Sequence, residues 1–600
     1  DLIRYALDDT VVVEAAAGTG KTTELVQRIL RVISSGRARI EQIVAVTFTE
    51  KAAGELKLRI RKELESLRQQ TTDSSERTHL TDAIQRLEEA HVSTIHGFCA
   101  DLLRERPVEA GIDPVFEVLT EPRADRLFDE AFQSWLHEVL EDPPEGLRRA
   151  LRRSVWSRDG RGDDDGPVER IRRAARELAE WRDFTGEWRR DPFDRDESLA
   201  AVLLRIREVA GLTSAPLSTR DPLFQDTVPV RELGRDIETA ERFDAVDRDG
   251  WEARVIDLAN NRNFRRARKG RDRMFGQHVS REDLWTAFEA LGAELDTFQR
   301  ASDADLAALL HVELREVVTR YERLKKRAGA LDFVDLLLRA RDLLVGHESV
   351  RSAFQRRFAC LFVDEFQDTD PLQAEILLLL ASRDASQNDW RLITPVPGKL
   401  FIVGDPKQAI YRFRRADVET YREVCDLLVA RGAKRAYLHT SFRSTPAIQR
   451  VVNASFSAVM TGDRQTLQAE YVALSSHRPD PAGQPSVVAL PVPEPYGKRQ
   501  IAGYAIEKSL PDAVGAFVAW LINDSGWTIT EKTTLDELPI EVPIQAAETP
   551  MRALSLAIAA ALSLAGCASS PHEPSGPPSL TIAPGAAAPA PLCIRRIQDS

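Results

Sequence analysis

The stretch EAAAGTGKTTE, Glu14 to Glu24, nearly spells the phosphate-binding loop GxxxxGK[ST]. Ala15 stands where that pattern has its first glycine. The flanking sequence is what such a loop requires. Thr10-Val11-Val12-Val13 is β-branched and apolar and reads as a buried strand. Leu25, Ile29, Val32 and Ile33 follow at helical spacing. A strand, a tight turn and a helix N-terminus aim backbone N–H groups and the positive end of a helix dipole at an anion. The candidate nucleotide-binding residues are therefore Ala15, Gly18, Thr19, Gly20, Lys21, Thr22 and Thr23. Lys21 would reach the β- and γ-phosphates, and Thr22 would hold Mg²⁺. The bland alternative is an ordinary glycine-containing strand–helix turn, and the grouping of Gly18, Gly20, Lys21 and Thr22 weighs against it.

The chain around this loop has 600 residues, enough for several domains with sizeable cores. Hydrophobic residues make up 43% and charged residues 29%, as in a globular protein. The net charge of -12 excludes a uniformly basic nucleic-acid binder, so any such contact must use local basic surface. Five cysteines are scattered without CxxC pairing, which points to a reducing compartment and away from zinc or a disulfide framework. The first residue is Asp1 and not methionine, which reads as a piece of a longer protein.

A phosphate loop needs an acidic partner at the end of a second strand. CLFVDEFQDTDPLQAEILLLL, Cys360 to Leu380, supplies one. Leu361-Phe362-Val363 is the strand, Asp364 the candidate Mg²⁺ ligand, and Glu365 the candidate base that orients and deprotonates an attacking water. Asp368 and Asp370 read as caps of the next helix. A third apolar strand leads into GKLFIVGDPKQAIYRFRRADVETY, Gly398 to Tyr421. Gln408 lies just past its end, at the carboxyl edge where α/β sheets bind ligands, and can report a γ-phosphate. Tyr411-Arg412-Phe413-Arg414-Arg415 interleaves rings with arginines, a composition suited to stacking on bases and meeting phosphates. A buried aromatic pair with solvated arginines is the alternative.

Together these segments resemble the superfamily 1A DNA helicases, in particular the UvrD/RecB/AddA group. Besides AAAGTGKT and VDEFQDTD, the chain carries VTFTEKAAGEL (Val46–Leu56), VSTIHGFC (Val92–Cys99), GALDFVDLL (Gly329–Leu337), GDPKQAIYRFRRAD (Gly404–Asp417) and TSFRSTP (Thr440–Pro446), in the family's order. TIHGFC and the long gap after it are most similar to RecB- or AddA-like recombination helicase–nucleases. The resemblance covers roughly residues 1–530. It implies an α/β fold: a RecA-like P-loop NTPase parallel sheet with a large helical insertion and a partial second RecA-like lobe. It also implies ATP-dependent movement on single- or double-stranded DNA, 3′→5′, in repair and recombination. The implied cofactors are ATP and Mg²⁺, the location is cytoplasmic with no membrane, and a helicase–nuclease subunit is a possible partner.

Residue roles carry over where the motifs match. Lys21 and Thr22 resemble the ATP and Mg²⁺ ligands, Asp364 the second metal ligand and Glu365 the catalytic base. Gln408 resembles the γ-phosphate sensor. Phe442 matches the aromatic that stacks on adenine, and Arg443 the arginine finger. Thr47, Phe48, Thr94, His96, Tyr411 and Phe413 fall where the family touches single-stranded DNA. Simple packing is the competing reading for His96 and Cys99. The alanine at position 15 is a familiar variant in this group; a small side chain suffices there if φ stays negative.

The expected organisation is a first part of lobe 1A over 1–106, a helical insertion, 1B, over 107–328, and the rest of lobe 1A over 329–433, with the sheet resuming near Leu331. A partial lobe 2A follows over 434–545, with VVALPVPEP (Val487–Pro495) as a β-rich piece. A tail over 546–600 completes the chain. The insertion holds RNFRRARKGRDR, Arg262 to Arg273, either a DNA-backbone track or a solvated face. The family's later motifs have no counterpart in this chain, nor does a glutamine ahead of the loop. From Met551, MRALSLAIAAALSLAGC resembles a lipoprotein signal peptide, followed by a Pro/Ala/Ser-rich stretch that reads as disordered. At that position it reads as a joined second reading frame or an assembly artefact, with an accidental apolar helix as the alternative. Two other functions stay open: a module that binds ATP and DNA without a productive motor cycle, and a P-loop ATPase or kinase unrelated to DNA.

Overall fold

The computed structural model describes residues 1–153, 166–184, 186, 188, 190–243, 247–411, 415–462, 468–490, 503–531 and 540–543. The lipoprotein-like tail and Phe413 lie outside them. The chain divides into two compact units, one of residues 1–444 and 451–478, the other of 445–450 and 479–600.

The centre of the first unit is a six-stranded sheet. Its strands are β1 (Val11–Ala15), β2 (Ile43–Thr47), β3 (His91–Thr94), β4 (Cys360–Val363), β5 (Leu400–Gly404) and β6 (Lys434–Leu438), in the spatial order β3-β2-β4-β5-β1-β6. Every pairing is parallel. The apolar runs foreseen for β1, β4 and β5 follow from this, because a parallel sheet is covered on both faces. Alternate residues point opposite ways. Val12, Val44, Val46, Leu361, Val363 and Ile402 join the core with helices Ile95–Glu105, Phe333–Gly346, Pro371–Ala381 and Val418–Ala430. Val11, Val13, Ile43, Ala45, Phe362 and Val403 join the opposite core with Lys21–Ser34 and Glu50–Gln70.

Three expectations change. Lys434–Leu438, read as the start of a second lobe, is an edge strand of this sheet, paired with β1 from Val11↔Lys434 to Ala15↔Leu438. Its sequence, KRAYL, looks unlike the other strands because an edge strand is half solvated. The sheet resumes at Cys360 and not near Leu331, since Ala330–Leu331 pairs only with Glu117–Val118. Val487–Leu490 carries no strand, and the rest of the piece expected over Val487–Pro495 lies outside the described residues.

Between β3 and β4 the described residues form helices and their connections, with two short strands, Glu117–Val118 and Ala330–Leu331. Helices Arg195–Leu212 and Arg248–Asn260 pack on the long helix Arg281–Glu313, and Val228–Arg242 packs on Arg195–Leu212, around Leu199, Ile206, Val255 and Leu295. A second core joins Phe128, Trp135, Leu147 and Tyr321. Arg149 is buried between Glu252 and Asp305, so its charge is matched inside the core. The second unit contributes helix Gly503–Asn523 and an antiparallel pair, Thr528–Glu531 with Ile540–Pro543. Among the described residues no helix is long and apolar enough to cross a membrane.

Candidate functional site

The loop after β1 has the backbone that phosphate binding requires. Gly18 and Gly20 adopt φ of 74° and 86°, the left-handed region that glycine enters without steric cost. Ala15 is the last residue of β1, buried, and not among the positive-φ residues, so the sheet itself answers the missing glycine. Thr19 closes the turn by donating its hydroxyl to the Ala16 carbonyl at 2.7 Å. Gly20 then caps helix Lys21–Ser34, and no side chain satisfies the first-turn N–H groups. These donors, at the positive end of the helix dipole, suit a phosphate. Lys21 is buried, Thr22 half-buried and Thr23 exposed.

Lys21 Nζ lies 2.6 Å from Glu365 Oε2. Glu365 itself sits at φ 53°, one of only two non-glycine residues with positive φ among those described. Such strain is held only where surroundings over-determine it, and it turns the carboxylate from the β4 axis toward the phosphate loop. Burial and the neighbouring Glu365 charge push the Asp364 carboxyl up to about 6, with Lys21 opposing. Burial and Glu365 likewise raise Asp368 to about 6. A crowd of carboxylates against one lysine favours a divalent cation. Among the described residues no three His, Cys, Asp or Glu side chains converge as a self-sufficient metal cage. Mg²⁺ keeps waters and phosphate oxygens and takes one or two protein ligands; Thr22 and Asp364 are the residues that would hold it.

Asp370 caps helix Pro371–Ala381 by accepting the Gln373 N–H, as expected. Asp368 does not cap it. Its carboxylate instead accepts from the Gln367 amide at 3.2 Å, because the chain makes a short 3-10 turn before the helix begins.

Gln367 was not singled out by sequence. Its amide also donates to Glu365 Oε2 at 2.9 Å, and its carbonyl accepts the Asp405 N–H at 2.8 Å. Asp405 in turn takes the Gln408 amide at 2.7 Å and the Lys407 ammonium at 2.9 Å. Base and sensor candidates on neighbouring strands are thus joined through two side chains. The available signal was an amide set among acids directly after an apolar strand.

Beyond β6, the Phe442 N–H donates to the Gly18 carbonyl at 2.8 Å. Phe442 is 48% exposed and rests on the His477 ring at 4.8 Å. Ser441, also unforeseen, accepts the Arg443 and Ser444 N–H groups at 3.3 Å and shapes the turn that carries Arg443 beside the loop. The Arg443 side chain is exposed.

The residues expected at DNA divide. Phe48 and Tyr411 meet with ring centroids 4.5 Å apart, joining the ends of two motifs. Thr47 is buried at the end of β2. Thr94 is buried and occupied: it caps helix Ile95–Glu105 and donates to Glu50 at 2.7 Å. His96 packs edge-on against Phe333 at 5.3 Å, and burial lowers its pKa to about 4. Cys99 is fully buried in the core, as the packing reading has it. In the basic stretch of the insertion, Arg265 pairs with Asp296, Arg268 with Asp226 and Lys269 with Glu282. A solvated, internally paired face accounts for these three.

Residues 3–426 match the UvrD/REP helicase N-terminal domain. Among curated proteins, the chain is 28% identical over 505 residues to an ATP-dependent helicase/nuclease subunit of Streptococcus suis, covering 78% of this chain and 39% of that protein. The protein of the same name from Pediococcus pentosaceus is 26% identical over 497 residues, covering 77% and 38%. That from Exiguobacterium sibiricum is 27% identical over 439 residues, covering 68% and 35%. The chain therefore spans well under half the length of these relatives. With a match across most of its length and the loop, acidic pair and Gln408 assembled on one sheet, the chain belongs to the UvrD/REP helicase family through its N-terminal domain.

Proposed function

We propose that this chain is the motor portion of an ATP-dependent DNA helicase or translocase in a RecB/AddA-like repair and recombination system. The linked set Lys21–Glu365–Gln367–Asp405–Gln408 carries this reading, because it joins phosphate binding, water activation and phosphate sensing in one hydrogen-bonded line. The loop N–H groups and Lys21 bind the β- and γ-phosphates. Thr22 and Asp364 would hold Mg²⁺, which when bound neutralises phosphate charge. Glu365, turned inward by its backbone, orients water and takes its proton. Gln408 senses the γ-phosphate, Arg443 stabilises charge on the transferred group, and Phe442 stacks on the base. Phe48, Tyr411, His96 and Phe413 meet single-stranded DNA, with Thr47 and Thr94 supporting them.

The order of motifs supports 3′→5′ movement, a cytoplasmic setting and a partner protein such as the relatives' name implies. It also supports an insertion, 107–328, between two parts of one motor lobe, with a second lobe beginning past β6.

The deciding measurement is steady-state ATP hydrolysis with and without single-stranded DNA. Strong stimulation by DNA is the expected result. Binding of both ligands without turnover would replace the motor by a binding module, and hydrolysis indifferent to DNA would point to an unrelated ATPase.

A further inference from the structure

Among the described residues, Arg415 is the other non-glycine residue in the left-handed region, at φ 69°. The catalytic scheme gives it no task, yet its surroundings over-determine it as they do Glu365. The side chain is 9% exposed. One guanidinium nitrogen donates to the Glu180 carbonyl at 2.7 Å and another to the Asp183 carboxylate. Its Nε lies 3.4 Å from Asp370, the cap of the helix after the acidic pair. The Trp181 ring lies beneath it at 4.9 Å.

The segment it grips, Glu180–Asp183, begins at the last residue of helix Pro167–Glu180 of the insertion. The same segment is anchored at a second point. Arg182, 4% exposed, reaches Asp332 and Asp335, which Lys325 also joins from within the core. Asp332 caps helix Phe333–Gly346, and Phe333 is the residue packed against His96. Four consecutive insertion residues thus touch the chain after Gln408 on one side and a helix contacting a DNA-side residue on the other.

We propose that Glu180–Asp183 is a coupling strap, with Arg415 and Arg182 as its two positioning residues, that links the nucleotide-sensing end of β5 to the DNA-facing end of the sheet. The inference rests on the motor reading above. Energetic coupling of this kind travels through packed and hydrogen-bonded elements, and it is established by measuring coupling rather than by proximity.

The test compares ATP hydrolysis by the full chain with and without oligo-dT, for wild type, Arg415→Gly, Asp183→Asn and the double variant. Glycine adopts φ 69° without strain, so Arg415→Gly removes the contacts and keeps the backbone. Hydrolysis without DNA should stay within about twofold of wild type, while the stimulation factor falls about tenfold or more. The double variant should fall no further than Arg415→Gly, because both changes remove one shared contact, and Arg415→Lys should recover part of the factor. Unchanged stimulation overturns the proposal. An equal loss of basal and stimulated rates overturns it too, as does a lower melting temperature with stimulation intact, which would make the contact purely structural. Wild type without any DNA stimulation would overturn the motor reading itself, and this inference with it.

Discussion

The side-chain carbonyl of Gln367 accepts the Asp405 backbone N–H at 2.8 Å, across the ends of two adjacent strands. The opposite end of the same amide holds Glu365 and Asp368. Gln367→Ala leaves a buried N–H without its partner, at a cost of about 1–3 kcal/mol. It also releases the candidate base. The expected outcome is a modest drop in melting temperature and a fall in kcat of about 10²-fold, the scale of an ångström misplacement, with KM for ATP nearly unchanged. Gln367→Glu should lose as much activity, since a carboxylate cannot donate to Glu365. Steady-state kinetics beside thermal denaturation separates the two effects.

Lys21→Ala should abolish hydrolysis. The ammonium lies 2.6 Å from Glu365 and at the start of the loop helix, so its loss removes both the proposed phosphate ligand and the charge facing the proposed base. Single-stranded DNA affinity, read by fluorescence anisotropy without nucleotide, should hold. An equal collapse of DNA binding would show that the lysine was misassigned.

Gly18 and Gly20 both have positive φ but different surroundings. A Cβ on Gly18 would lie 2.5 Å from the Arg443 Cβ, whereas one on Gly20 would meet nothing within 4 Å. Gly20→Ala therefore carries only the backbone cost of about 1–2 kcal/mol. Gly18→Ala adds a clash and strains the Gly18–Phe442 hydrogen bond. Its melting temperature and ATP affinity should both fall below those of Gly20→Ala. Equal effects would mean that the Ser441–Arg443 turn yields easily.

Burial lowers the His96 pKa to about 4 from its ordinary 6.5, with Glu50 partly opposing. The folded state therefore holds a neutral ring at pH 7. As pH falls below 6.5 the unfolded chain takes up the proton first, so this group costs stability progressively down to about pH 4 and nothing above 6.5. The melting temperature of His96→Asn should lack that part of the acid slope. Any DNA contact by His96 near neutral pH is uncharged, so its replacement should leave the salt dependence of DNA binding unchanged. A shallower salt slope in His96→Asn would indicate a charged ring.

Much of the site was legible because it is local. Loop, strand and helix signals for Lys21 and Thr22 lie within one short stretch, and Asp364–Glu365 directly follow an apolar run. Gln367, Asp405 and Arg415 were not legible as partners because their roles arise from contacts between distant segments. Gln367 and Asp405 are 38 residues apart, and Arg415 and Glu180 are 235 apart. The β6 edge strand was misplaced for a related reason. KRAYL has the composition of a half-solvated strand, and only its pairing with β1 assigns it to the sheet. Thr94 was expected at DNA from the resemblance, and nothing local in the sequence showed that its hydroxyl caps a helix.

The register of β6 has a consequence for the arginine beyond it. Ala15 faces Leu438 in that ladder, and Arg443 comes five residues later. The edge strand therefore serves as a ruler laid along the phosphate-loop strand, with its zero set by backbone hydrogen bonds. Sliding it by one residue would move the arginine by about 3.3 Å and turn alternate side chains to the wrong face. How far Arg443 stands from the loop is thus set by counted chain length, so a single-residue insertion within Lys434–Leu438 should displace the arginine from the loop while leaving its side chain unchanged.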